Sequence, residues 1–256
     1  MERVELLLAG VPGKSSEGYL GQSTVTLVDG TTLIDTGGPS RRPLLENTLA
    51  AADIDPDDIS DVLLTHLHFD HCDNLDLFPE ATVHAYDPEL DRVLAGDTDW
   101  ATSAAAPHLL ADRDVSRFVA GDTVAGFDVL ETPGHCKHHV SFVAEREGLT
   151  VGVVGDAFKN LHEFETRDPT AIYDADIARE SIDRLAERVE FAIPGHDTPF
   201  YVTDDGDSIP CGDVELDVGL ALGGETGTVV GIQSNRMETR DSPSFVHDMT
   251  QPAELN

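Results

Sequence analysis

The segment Thr65-His66-Leu67-His68-Phe69-Asp70-His71 directly follows the apolar run Val62-Leu63-Leu64. Three imidazoles and a carboxylate within residues 66–71 are expensive to bury unless they bind something. His66 and His68 alternate along an extended segment, so both rings can face one way. Asp70 and His71 come after the turn and can reach a second position. Imidazole and carboxylate together are the ligand set of zinc, and with less preference of iron or manganese. The bland alternative is a solvated histidine-rich loop. Its position at the end of a buried strand favours the ligand reading, and then other segments must converge on the same place.

Three further polar residues sit at ends of expected strands. Residues 127–132 run into Pro133-Gly134-His135, residues 151–154 into Gly155-Asp156, and residues 191–193 into Pro194-Gly195-His196. Glycine beside each polar residue lets the backbone turn sharply. One such histidine would be an ordinary loop residue; three such ends after a dense ligand cluster point to convergence. Further strands are expected over residues 4–9, 23–28, 32–35, 61–65, 81–86, 140–144 and 150–154. Helices are expected over 43–52 and 173–189, with a further helix start at Asp55-Pro56. Hairpins first and then strand–helix alternation fit layered sheets flanked by helices. The 256 residues suit one large domain. We expect it over 1–202, with residues 203–256 as an extension packed on it. In the extension, 214–222 and 226–233 form a hairpin across Gly223-Gly224, followed by a polar tail over 237–256.

The order HLHFDH, PGH, GD, PGH resembles the metallo-β-lactamase fold superfamily of hydrolases over residues 4–202. The resemblance implies an α/β fold, a four-layer αβ/βα metallo-β-lactamase sandwich. By position it implies that His66, His68 and His135 hold one metal ion, that Asp70, His71 and His196 hold a second, and that Asp156 bridges them. The cofactors implied are two divalent ions, zinc first, with iron or manganese as alternatives. Asp35, in Ile34-Asp35-Thr36-Gly37-Gly38, matches an early aspartate that buttresses such sites. A shared carboxylate offsets the repulsion between the cations, and metal binding lowers the pKa of water from 15.7 to about 7. A metal-bound hydroxide then attacks an ester, thioester or lactone. Asp70 is the candidate catalytic residue, accepting a hydrogen bond from the nucleophile and passing its proton to the leaving group.

Within the superfamily, Ser23-Thr24-Val25-Thr26-Leu27-Val28, Asn74-Leu75 with Leu77-Phe78-Pro79, and Gly155-Asp156 with Phe158 are similar to the metallo-β-lactamase domain-containing protein 1 family. An animal member is assigned to histone pre-mRNA cleavage, a substrate that does not carry over here. Asp156 argues against a true β-lactamase, which lacks the bridging carboxylate. HLHFDH also looks like the lactone hydrolases, but Phe158 and Lys159 stand where those carry a nearby tyrosine. A phosphodiesterase or ribonuclease of the same fold and a mononuclear-iron persulfide dioxygenase are the alternative activities, and a non-catalytic metal scaffold is a third. Phe69, Phe158 and Lys159 are expected to line the pocket, and His139 to hold a ligand in place. Trp100 falls in a loop over 96–107 that can cover the cleft. Asn160, His162 and Tyr173 are candidate walls, whereas Cys72 and Cys136 are expected to point away.

Charge narrows the setting. Lys plus Arg is 16 and Asp plus Glu 49, so the formal charge is −33. Only Lys14, Lys137 and Lys159 are lysines, and the acids are spread along the chain. This is the pattern of a folded protein working in concentrated salt, where ~1 M salt cuts the screening length to ~3 Å. Such a surface disfavours nucleic acid, so a small molecule is the expected partner, with a homodimer compatible. No apolar run approaches the ~18 residues of a membrane span, and the start reads as no signal peptide. Three cysteines make no disulfide framework. A cytoplasmic location is the expectation.

Overall fold

The computed structural model describes residues 3–15, 18–203, 205–212, 215–220, 227–233 and 236–242. After β1 (Val4–Leu8) comes a small hairpin, β2 (Lys14–Ser15) and β3 (Gly18–Tyr19). Then β4 (Val25–Val28), β5 (Thr32–Ile34), β6 (Asp61–Leu63), β7 (Thr82–Tyr86) and β8 (Val115–Phe118) complete a sheet in the order β1-β4-β5-β6-β7-β8. A second sheet follows from β9 (Thr123–Val124), β10 (Phe127–Glu131), β11 (Val140–Arg146), β12 (Leu149–Gly155), β13 (Phe191–Pro194), β14 (Phe200–Val202) and β15 (Ser208–Pro210). Its order is the reverse of the chain, β15-β14-β13-β12-β11-β10-β9. The helices are α1 (Arg42–Ala51), α2 (Phe69–Cys72), α3 (Asp87–Leu94), α4 (Ala106–Leu110), α5 (Leu161–Thr166) and α6 (Ala175–Ala186).

Strand pleating sends neighbours to opposite faces, and here it makes the layers. Leu27, Leu33 and Val62 join Leu45 and Leu49 of α1 and Leu90 and Val93 of α3 in one core. The next residue of each strand, Val28, Ile34 and Leu63, meets Phe127, Phe142 and Val153 of the second sheet in another. On the far face of that sheet, Val143, Val154 and Ala192 pack with Phe164 of α5 and Ile182 and Leu185 of α6. Three apolar seams therefore separate four layers: helices, sheet, sheet, helices.

The strand directions gather the polar ends. β5 and β6 are parallel, as are β12 and β13, and β10 and β12 are both antiparallel to β11. The carboxyl ends of β10, β12 and β13 thus emerge together. Val140 N donates to Thr65 O at 3.1 Å and Thr24 N to Gly195 O at 2.7 Å, tying the two sheets together at this end.

Several expectations shift. Asp55 does cap, accepting from Asp57 N at 3.1 Å, but Pro56–Asp58 makes only a 3-10 turn. Buried Ile59 and the start of β6 at Asp61 leave no room for a helix. The loop expected over 96–107 ends in α4, and β8, α3 and α5 add to the expected elements. In the extension, β16 (Glu215–Leu220), β17 (Gly227–Gln233) and β18 (Arg236–Ser242) form a separate antiparallel sheet. β18 takes up the start of the expected polar tail. The expected turn at Gly223-Gly224 and the tail beyond 242 lie outside the described residues.

Candidate metal centre

Every element that reaches the site ends there. The chain leaving β6 bends at Thr65 and reaches His68, whose extended backbone (φ −79, ψ 151) starts the single turn α2 carrying Asp70 and His71. His135 follows β10, Asp156 follows β12, and His196 follows β13. Gly155 adopts φ +54, and a Cβ there would lie 2.9 Å from His139 Nε2 and from the Thr65 side chain. A Cβ on Gly195 would collide with the Asp156 carboxylate. These two glycines let Asp156 and His196 enter a space too tight for a side chain.

All seven donor residues are buried. Ligand atoms of His66, His68 and His135 lie within 4.8 Å of one another, as do those of Asp70, His71 and His196, and those of His66, His71 and Asp156. His135 Nε2 is 3.0 Å from His68 Nδ1. Asp156 faces both sides: Oδ2 is 3.1 Å from His135 Nε2, and Oδ1 is 3.2 Å from His71 Nε2 and 3.1 Å from His196 Nε2. His66 Nε2, His71 Nε2 and Asp156 Oδ1 have no hydrogen-bond partner. Buried polar atoms are rarely left so, and orphaned imidazole nitrogens aimed at a shared carboxylate fit divalent cations.

The outer nitrogen of four of the five donor rings is held from behind. His71 Nδ1 is 2.7 Å from Asp35 Oδ2, His66 Nδ1 is 3.0 Å from Thr65 Oγ1, and His135 Nδ1 is 3.1 Å from Thr170 O. His68 is turned the other way: its Nε2 is 3.2 Å from Asp99 Oδ2, which leaves Nδ1 facing inward. Asp35 adopts φ +58 and also accepts from Thr65 N at 2.9 Å and Thr65 Oγ1 at 2.8 Å. His139 accepts from Asp156 N through Nε2 at 3.0 Å, so its Nδ1 carries the proton and meets Thr132 Oγ1 at 2.8 Å.

Burial lowers the pKa of His66, His135 and His139, the last to about 3, and keeps these rings neutral. Burial opposes charge on His71 too, but Asp156, Asp35 and Asp70 together hold its pKa well above the usual value. For Asp156, burial is outweighed by His196, Lys159, His135 and His71, which keep it ionised.

Of the other expected residues, Phe69, Trp100, Lys159 and Asn160 line a pocket of about 710 Å³ over the donors. Lys159 Nζ makes an ion pair with Asp156. Phe158 departs from expectation: it lies in the turn after β12 and is fully buried against Phe164 and Phe200, in the core on the helix side of the second sheet. His162 and Tyr173 are exposed and outside the pocket lining. Cys72 Sγ donates to His68 O at 3.3 Å, and burial raises the pKa of both Cys72 and Cys136, so neither presents a thiolate. Tyr19, Asp99 and Thr170 also reach the site. Only the fold brings them here; no local pattern marks them.

Residues 18–196 match the family model described as metallo-β-lactamase superfamily. The chain belongs to the metallo-β-lactamase superfamily. Metallo-β-lactamase domain-containing protein 1 of Mus musculus is 34% identical over 182 residues, which cover 68% of this chain and 62% of that protein. The N-acyl homoserine lactonase of Bacillus thuringiensis is 30% identical over 158 residues, covering 59% of this chain and 61% of the lactonase. The matched stretch thus spans less than two thirds of either relative. A Thermotoga maritima protein assigned as a metallo-β-lactamase superposes with a TM-score of 0.64 at 23% identity, covering 78% of this chain and 99% of the other. That similarity shows the shared metallo-β-lactamase fold. Within it, the donor set of this superfamily member suits divalent metal ions.

Proposed function

We propose that this protein is a metal-dependent hydrolase that uses two divalent cations, zinc foremost, to cleave a carboxylic ester, thioester or lactone. The observation that carries the reading is Asp156: each of its oxygens faces a different set of histidines, and its Oδ1 is orphaned together with His66 Nε2 and His71 Nε2. His66, His68 and His135 would hold one ion, Asp70, His71 and His196 the other, and Asp156 both. When bound, such ions make water acidic enough to ionise near neutral pH and polarise a carbonyl oxygen.

The chain's own residues supply the rest. Asp35, Asp99, Thr65 and Thr170 fix the ring orientations, so the donors stand pre-arranged. Asp70, at the floor of the pocket, accepts a proton during attack and returns it to the leaving group. Phe69 and Trp100 give the cleft apolar walls. Carboxylic substrates are favoured over phosphodiesters by that lining and by the similarity to a lactonase.

The test combines metal analysis with a substrate panel of lactones, thioesters, phosphodiesters and single-stranded RNA in molar KCl. Zinc near two equivalents and turnover of a carboxylic substrate are expected. Asp156→Ala should lose one equivalent and most of the turnover. Full metal content with normal turnover in that variant refutes the bridging role, and iron with oxygen uptake on a persulfide replaces hydrolysis by the oxidative chemistry.

A further inference from the structure

Glu163 lies in the first turn of α5 and is only 4% exposed. Asn160 caps that helix, its Oδ1 accepting from Glu163 N at 2.9 Å. A glutamate three residues after a cap usually reaches back to the capping residue's own N–H. This one reaches further and in two directions. Its Oε2 accepts from Lys159 N at 2.8 Å, and its Oε1 accepts from Thr170 N at 2.9 Å. One buried carboxylate thus ties the turn after β12 to the segment after α5.

Both tied segments hold metal-centre donors. Lys159 O accepts from His196 N at 2.7 Å, and Gly155 O accepts from Gly195 N at 2.8 Å. Asp156 sits in the turn between those two anchor points. On the other side, Thr170 O accepts from His135 Nδ1 at 3.1 Å, and Ile172 N donates to His135 O at 2.8 Å. With its proton on Nδ1, His135 keeps Nε2 free to face inward. Glu163 therefore stands behind His135, behind His196, and behind the turn that presents Asp156. Asp35 has the matching place among the donors that follow β6, where it accepts from Thr65 N at 2.9 Å and meets His71 Nδ1 at 2.7 Å.

We propose that Glu163 is the positioning residue for the donors that follow β10, β12 and β13, so that both halves of the metal centre depend on one carboxylate in α5. This rests on the two-ion reading above for which donors serve which ion. A carboxylate accepts at both oxygens. A carboxamide accepts at one and turns an NH₂ group against the other backbone N–H. Glu163→Gln therefore keeps the shape of the brace and releases one of its two anchors. If the residue only capped α5, its loss would lower stability and leave the metal centre alone.

Zinc affinity is measured by competition with a chromogenic chelator in molar KCl, and the cobalt-loaded protein gives the visible absorption of the ligand field. Glu163→Gln should weaken both equivalents by about 10–100-fold, the usual cost of losing a contact behind a ligand, and should alter the cobalt bands. Leu49→Ala, in the apolar seam behind the first sheet, serves as the stability control. It should lower Tm while both affinities and the cobalt bands stay as they were. Weakening of a single equivalent in Glu163→Gln, a loss of Tm with both affinities intact, or equal weakening in Leu49→Ala overturns the proposal. Imidazole ¹H–¹⁵N spectra of the metal-free protein supply a readout that needs no ion. In Glu163→Gln the His135 and His196 signals should both move, whereas that of His84, paired with Asp61 on β6, should not. Should the unaltered protein take up fewer than two ions, the two-ion reading fails. The imidazole signals then decide this proposal: movement of both supports it, and either one unmoved overturns it.

Discussion

A histidine side chain offers two nitrogens, and what lies behind the ring decides which one faces the site. Asp99 does this for His68. Its Oδ1 accepts from Ala101 N and Thr102 N, both at 2.9 Å, while Oδ2 meets His68 Nε2 at 3.2 Å and Arg92 Nη2 at 3.6 Å. Arg92 is itself forked onto buried Glu89 at 2.8 Å through Nε and Nη2. Burial would raise the Asp99 pKa, but the contact with His68 dominates and holds it well below the usual carboxylate range. Asp99→Asn keeps the shape and removes the charge. It should weaken metal affinity by about 10–100-fold, the cost of losing such an outer contact, as measured by zinc competition with a chromogenic chelator. Unchanged affinity would mean that Asp99 only closes its own turn. The donors of the cluster were legible because their types and spacing are local. Asp99 was not, since its pairing with His68 depends on how the 96–107 loop folds back over α2.

At the scale of elements, the site is held by strand ends, and the helices act as clamps. α6 is the clearest case: Asp174 accepts from Asp176 N at 2.9 Å and from Ile177 N at 3.0 Å, capping the helix that packs Ile182 and Leu185 into the outer core. Asp174 N also donates to Gly134 O at 3.0 Å, and Tyr173 N to His135 O at 3.1 Å, so the start of α6 braces the turn bearing His135. Asp174→Ala should cost about 1 kcal/mol and lower Tm by roughly 2–4 °C, which calorimetry would detect. A Tm unchanged within error would mean that the brace, not the cap, anchors the helix. Apolar periodicity marks the segment 173–189 that contains α6. It passes over α3, although Leu90 and Val93 lie on one face after Asp87-Pro88, because the run is short and rich in charge. The pairing of strands across the two sheets could not be read from periodicity, which assigns faces and not neighbours.

The chain carries a formal net charge of −33, and its described residues enclose three apolar seams and the buried donor cluster. Mutual repulsion on that scale weakens a compact state, and salt screens it. We therefore expect Tm to rise steadily as KCl goes from 0.1 to about 2 M; a flat melting curve would remove the salt-adapted reading. Metal removal acts on the same balance from inside. Extraction with a chelator leaves the donors of the cluster buried and unsatisfied, and the folded state loses the ligand linkage. Tm should drop after extraction and recover on adding zinc. Among the described residues, no helix is long and apolar enough to cross a membrane. By itself the sequence determined the donor types, their order along the chain, the alternating strands that make layers, and the acidic surface, because each is written in neighbouring residues. Only the tertiary structure decided that Asp156 stands between two sets of histidines, that Asp99 turns His68, and that Tyr19 meets Lys159. Those contacts join segments up to 140 positions apart, and proximity across such spans is set by how the sheets stack rather than by any local pattern.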